Sequence, residues 1–129
     1  MRRIVTALSL VVLLVATAQA AGVKNVDAPT AQKMLQENPK LYLLDVRTPQ
    51  EYFQARLKGA HLIPIDRFLA RIGEVPTDRP LLVYCAVGSR SSQVAEYLAS
   101  HGYPEVYDLR GGIEAWAKLY RFPVLTGAP

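Results

Sequence analysis

Short apolar runs alternate along most of the chain with segments in which apolar residues recur at helical spacing. The runs at 24–26, 41–44, 62–65, 81–84 and 106–109 are typical of strands. The run at 41–44 is continuous, as expected for a strand that is buried on both faces, and the run at 81–84 is the most strand-like in the chain. This alternation predicts an α/β fold built on a mostly parallel sheet.

Capping residues mark where several of the predicted helices begin. Asp27 is a candidate N-cap, and Thr48-Pro49-Gln50-Glu51 has the form of a capping box with proline at the first helical position. Pro64 suggests an edge strand or a strand end, and the tail at 123–129 is expected to fray. The side chains predicted to face inward are Ala31, Met34 and Leu35 in the first helix, Phe68, Leu69 and Ile72 in a helix from Asp66 to Gly73, Val94, Tyr97 and Leu98 in a helix that stops at His101-Gly102, and Ile113, Trp116, Ala117 and Tyr120 in the last helix.

The first twenty residues have the features of an export signal. Arg2 and Arg3 precede an apolar run from Ile4 to about Ala16, and small residues follow at Ala18-Gln19-Ala20. The run is short for a membrane-spanning helix, which needs roughly 20 residues. We therefore predict cleavage after Ala20, a mature single domain at 21–129, no stable membrane association after cleavage, and a periplasmic location.

The charge balance gives no indication of a nucleic-acid partner. The formal net charge is +4, and two of these charges come from the leader residues Arg2 and Arg3. The mature chain has no run of basic residues that could follow a phosphate backbone. One cysteine and two distant histidines form no recognisable metal-ligand set, so we expect neither a metal nor an organic cofactor.

Cys85 is the only cysteine, so it cannot form an intramolecular disulfide. It follows the most strand-like run, and the ligand crevice of an open α/β sheet lies at the carboxyl ends of the strands. The residues after it, Ala86-Val87-Gly88-Ser89-Arg90, lead directly into a helix. Amides at a helix N-terminus and a nearby arginine lower the pKa of a thiol. We therefore predict that Cys85 is a nucleophile and that Ala86, Val87, Gly88, Ser89 and Arg90 form its substrate-binding loop.

Three segments in this order resemble the motifs of the rhodanese family: LLDVRTPQEY at 43–52, VYCAVGSRS at 83–91 and LRGGIEAW at 109–116. Together they span almost the whole mature chain. The resemblance implies a five-stranded, mostly parallel sheet with helices on both faces. It also implies that Cys85 carries a persulfide and that the amides from Ala86 to Arg90 cradle its sulfur.

The family resemblance leads to a sulfurtransferase mechanism in two steps. The Cys85 thiolate would take the outer sulfur of thiosulfate or a similar donor, and cyanide, a small thiol or a protein thiol would then accept that sulfur. The six residues from Cys85 to Arg90 match the sulfur-transfer length in the family, whereas the related phosphatases and arsenate reductases have a loop one residue longer.

Another function is compatible with the same motifs. A rhodanese-like binding module or redox sensor would use Cys85 as a docking or oxidation site without turnover. The polar residues Asp45, Arg47 and Glu51 are interpreted as structural, with Glu51 assigned to the capping box and the Asp45/Arg47 pair expected to hold a loop.

Overall fold

A computed structural model describes residues 22–119 and 124–127. Five strands form one sheet in the spatial order 24–26, 106–109, 81–84, 42–45 and 61–62, and all neighbouring pairs are parallel. This arrangement confirms the predicted five-stranded parallel sheet. The strands are β1 (Lys24–Val26), β2 (Tyr42–Asp45), β4 (His61–Leu62), β5 (Leu81–Tyr84) and β6 (Val106–Leu109), and a separate antiparallel pair joins β3 (Arg56–Leu57) to β7 (Val124–Leu125).

Helices cover both faces of the sheet. Their bounds are α1 (Ala28–Glu37), α2 (Pro49–Gln54), α3 (Phe68–Arg71), α4 (Ser89–Ser100) and α5 (Gly112–Leu119), with 3₁₀ turns at Ile65–Arg67 and Ile72–Glu74 on either side of α3. The predicted caps of the first two helices are present, because Asp27 accepts from the Thr30 amide at 2.9 Å and Thr48 from the Glu51 amide at 3.2 Å.

Alternate residues of the central strand β5 point to opposite sides of the sheet. Leu81 and Val83 pack in a core with α3 and α4, whereas Leu82 and Tyr84 pack in a second core with α1 and α5. All four side chains are fully buried. The continuous apolar run at 81–84 therefore reflects a strand enclosed on both faces.

The predictions fail where regular elements are short. The strand expected at 62–65 is only His61–Leu62, at the sheet edge, and Ile65 already belongs to a 3₁₀ turn. The single helix expected from Asp66 to Gly73 is four residues of α-helix between two 3₁₀ turns. A 3₁₀ helix has 3.0 residues per turn, whereas an α-helix has 3.6. The apolar residues of this segment therefore do not all lie on one face. Leu69, predicted to face inward, is 64% exposed.

Two predictions at the carboxyl end also need correction. Ala117 is exposed, because the buried face of α5 is formed by Gly112, Ile113 and Trp116. The N-terminus of α5 meets the cysteine loop. The tail was expected to fray, yet Val124 and Leu125 pair with Leu57 and Arg56. Tyr120 and the predicted leader at 1–20 lie outside the described residues. Within the described ranges, no helix is both long and apolar enough to cross a membrane.

Candidate active site

Cys85 lies immediately after β5, at the carboxyl edge of the sheet, and its side chain is buried. The chain then turns at Gly88, whose φ of 108° lies in the left-handed region, and enters α4 at Ser89. A side chain at position 88 would be strained because L-residues rarely adopt such angles. This turn brings the N-terminus of α4 back over the sulfur.

Backbone amides surround the sulfur of Cys85. The Gly88 amide donates to Sγ at 3.1 Å and the Ser91 amide at 3.4 Å. The Cys85 thiol lies 3.5 Å from the Ser91 hydroxyl and donates to it, and that hydroxyl donates to the Gly88 carbonyl at 3.2 Å. When Cys85 is ionised, the hydroxyl can rotate and donate to the sulfur instead.

These contacts favour the thiolate. Burial raises the pKa of Cys85, but hydrogen bonds from the Ser91 side chain and from the amides of Ser91, Gly88 and Val87 outweigh it, so the net pKa is lower than usual. A lowered pKa increases the fraction of the nucleophilic form at neutral pH. Among the predicted loop residues, Val87 and Gly88 thus interact with the sulfur through their amides.

The N-terminus of α5 fixes the same loop from the other side. The amides of Ile113 and Glu114 donate to the carbonyls of Cys85 and Ala86 at 3.0 and 3.1 Å. Gly112 makes this approach possible, since an added Cβ would fall 2.5 Å from the Cys85 carbonyl oxygen and closer still to that of Ala86. The glycine pair of the third sequence motif therefore supports the geometry of the cysteine loop.

Arg90 is paired with a carboxylate from another motif. Its Nη1 and Nη2 donate to the Glu51 Oε1 and Oε2 at 3.0 and 2.9 Å. The capping interpretation of Glu51 is therefore correct only for its backbone amide. The carboxylate, expected to complete the capping box, joins α2 to the first turn of α4.

A buried polar network holds α2 in position for this pairing. Arg47 donates to Asp45 Oδ2 at 2.7 Å and to the carbonyl of Ala55, at the end of α2, at 2.6 Å. The Tyr84 hydroxyl also donates to Asp45 Oδ2 at 2.7 Å and accepts from the Leu57 amide. The structural interpretation of the Asp45/Arg47 pair is confirmed.

Sequence reasoning missed three residues that contact groups of the cysteine loop. Ser91 lies one residue beyond the predicted loop, and its position in the first turn of α4 was the available signal. Glu51 was assigned to capping alone. Asp108, on the neighbouring strand β6, is buried, interacts with the Ser91 hydroxyl and has one carboxylate oxygen without a hydrogen-bond partner. Burial raises its pKa.

The remaining predicted loop residues differ in exposure. Ala86 and Arg90 are half-buried, Ser89 is exposed, and Val87 presents its side chain to solvent. Across residues 22–119 and 124–127, no group of three or more His, Cys, Asp or Glu side chains could hold a metal ion. The site brings together one thiol, a ring of amides, the Ser91 hydroxyl and one charge-paired arginine.

Comparison with known proteins assigns the family. The model of the rhodanese-like domain matches residues 27–119. The chain belongs to the rhodanese-like domain family. This rhodanese-like chain is 38% identical over 96 residues to a sulfurtransferase of Allochromatium vinosum, a match that covers 74% of the chain and 90% of the relative. It is 35% identical over 92 residues to the thiosulfate sulfurtransferase GlpE of Vibrio cholerae, covering 71% and 86% of the two chains.

Solved structures agree with this assignment. A rhodanese-like domain protein from Staphylococcus aureus superimposes with a TM-score of 0.72 at 26% identity, covering 81% of this chain and 99% of that one. A rhodanese-related protein from Thermoplasma volcanium gives a TM-score of 0.71 at 27% identity, covering 79% and 97%. The rhodanese-like fold therefore extends over nearly all of the described chain.

Proposed function

We propose that this rhodanese-like protein is a sulfurtransferase that carries a sulfane sulfur on Cys85. The donor is thiosulfate or a related compound, and the acceptor is cyanide, a small thiol or a protein thiol. Support comes from the family, from relatives named as sulfurtransferases, and above all from the amides of Gly88 and Ser91 that converge on Sγ.

The convergence of amides on one atom suits an anionic sulfur. A thiolate attacks the outer sulfur of the donor, a new S–S bond forms to Cys85, and the old S–S bond breaks with its electron pair on the leaving sulfite. The persulfide that results is also an anion, and the same amides and the α4 N-terminus can stabilise it. The Cys85 side chain is buried, so only a small group can reach its sulfur. The terminal sulfur of a donor is a single atom and meets this requirement.

Intact mass spectrometry tests the proposal directly. We expect thiosulfate to add one sulfur, about 32 Da, to the mature protein, and we expect cyanide to remove it. The matched Cys85→Ala variant should show no gain. If thiosulfate, mercaptopyruvate and a small persulfide all leave the wild-type mass unchanged, the protein is a binding module or a redox sensor rather than a transferase. A sensor would still be oxidised at Cys85 by peroxide.

We also propose that the protein acts in the periplasm, as a domain starting after Ala20. The support is the leader pattern at 1–20. N-terminal sequencing of exported protein should begin at Ala21. An intact Met1 on membrane-bound protein would contradict this proposal.

A further inference from the structure

The loop that holds Cys85 contains one cation, and that cation is already compensated. Arg90 is the only basic residue from Cys85 to Ser91. Both of its terminal nitrogens bind the carboxylate of Glu51, at 3.0 and 2.9 Å, and the two side chains are 27% and 33% exposed. A two-point pair of this kind fixes the guanidinium in place and cancels most of its field beyond the pair.

A second guanidinium that acts on Arg90, that of Arg47, is compensated as well. Arg47 is close enough to interact electrostatically with Arg90, but it lies 2.7 Å from Asp45 in a fully buried pair. The two arginines and the two carboxylates therefore sum to zero. Once Cys85 is ionised, these five groups together carry one net negative charge, so the attraction of an incoming anion falls mainly to the hydrogen-bond donors around the sulfur.

The loop also exposes an apolar side chain. Val87 is 55% exposed and lies two residues after Cys85. Its isopropyl group offers contact to a hydrocarbon substituent and no hydrogen bond to a sulfonate oxygen. A donor that carries an organic group on the sulfur next to its terminal sulfane sulfur would therefore gain a contact at this position, whereas thiosulfate would not.

We propose that Glu51 determines which sulfur donors the site accepts: by neutralising Arg90, it favours donors with an organic substituent and low charge over the dianion thiosulfate. This inference rests on the proposed sulfurtransferase function. Organic persulfides and thiosulfonates are the donor class concerned. With a thiosulfonate, the Cys85 thiolate attacks the terminal sulfur, an S–S bond forms, and the bond to the oxidised sulfur breaks with its electron pair on the departing sulfinate.

Glu51→Gln is the variant that isolates this effect. The glutamine keeps the backbone amide that caps α2 and can still bond to Arg90, so it removes charge without removing the contact. Glu37→Gln is the matched control, since Glu37 also pairs with a cation, Lys33, at 3.9 Å. Glu37 is the last residue of α1. This helix starts at the carboxyl edge of the sheet and runs back toward the opposite edge, so Glu37 lies away from Cys85.

The measurement is kcat/KM for two donors, thiosulfate and ethanethiosulfonate, at fixed ionic strength with cyanide as acceptor. In a two-step transfer this ratio reports on the donor step alone. The wild type should prefer ethanethiosulfonate. Glu51→Gln should raise kcat/KM about tenfold for the dianion and about threefold for the monoanion, because the Coulomb energy scales with the charge of the donor. Glu37→Gln should change neither.

Ionic strength provides a second readout. In Glu51→Gln, kcat/KM for thiosulfate should fall as salt rises, and more steeply than in the wild type, because salt screens the uncovered charge of Arg90. If Glu51→Gln changes both donors by the same factor, or lowers activity with thiosulfate, Glu51 is only structural and the inference is overturned. If the wild type takes sulfur from neither donor, the proposed function itself fails.

Discussion

Two neighbouring strands, β2 and β5, each lead to a buried polar side chain at the same sheet edge. Asp45 is the last residue of β2, and Cys85 directly follows β5. Asp45 is held mainly by side chains, because Arg47 and Tyr84 both donate to it, and the Arg47 amide adds a further bond. Cys85 has no charged partner in direct contact, and its sulfur is held by two backbone amides and the Ser91 hydroxyl. An added sulfur can remain on the amides without breaking a charge pair, whereas a ligand at Asp45 would have to displace two buried partners. The buried charge pair at Asp45, rather than burial itself, separates the structural group from the reactive one.

Removing Asp45 should have the largest effect on stability. Asp45→Ala leaves Arg47 buried without its partner, and breaking such a pair costs about 3–5 kcal/mol. Urea denaturation measures the loss. Cys85→Ser is the matched change at the adjacent strand end and should keep most of the stability, because serine is similar in size and can accept from the same amides. Equal losses in the two variants would contradict the distinction between the sites.

Gly112 links the fold to the cysteine loop, and its replacement should affect both. Gly112→Ala places a Cβ against the carbonyls of Cys85 and Ala86 at a φ of 61°. We expect urea denaturation to show a loss of about 2–4 kcal/mol from overpacking and backbone strain, together with slower loading of sulfur on Cys85.

Gly102→Ala is the control for this variant. Gly102 has a φ of 88°, but a Cβ added there would meet no other atom within 4 Å. It should therefore show only the backbone cost, about 1–2 kcal/mol, with loading of Cys85 unchanged. If Gly102→Ala slowed loading as much as Gly112→Ala, the close contact at Gly112 would not be the cause.

The smallest expected effect concerns the pKa of Cys85. The thiolate predominates above this pKa, so a lowered pKa places the midpoint of thiol reactivity below that of an ordinary cysteine. Ser91→Ala removes the hydroxyl and keeps the amide. The pKa should therefore rise, and the reactive fraction at pH 7 should fall by about two- to tenfold, as expected for the loss of one hydrogen bond.

The pH profile of Cys85 alkylation by a small reagent measures this shift. Ser92→Ala serves as the control, because Ser92 is exposed on the next position of α4. A midpoint that stays in place in Ser91→Ala would show that the amides alone stabilise the thiolate.

Much of the fold was predictable because long apolar runs leave few alternatives. The runs at 41–44 and 81–84 lie in or beside the buried strands β2 and β5, and the caps Asp27 and Thr48 start α1 and α2 as expected. Prediction failed around α3, where 3₁₀ turns interrupt the helical period and expose Leu69. Short elements depend on their surroundings more than on their own sequence.

The sequence by itself determined the alternation of strands and helices, the position of Cys85 at a strand end and the glycine that lets the loop turn into α4. These features are local, since they depend on periodicity and on residues adjacent in the chain. Only the tertiary structure decided that Glu51 neutralises Arg90 across 39 positions, that Gly112 supports the Cys85 carbonyl, and that Asp108 lies beside Ser91. Sequence spacing carries no information on such contacts, because the packing of separate elements around the sheet creates them.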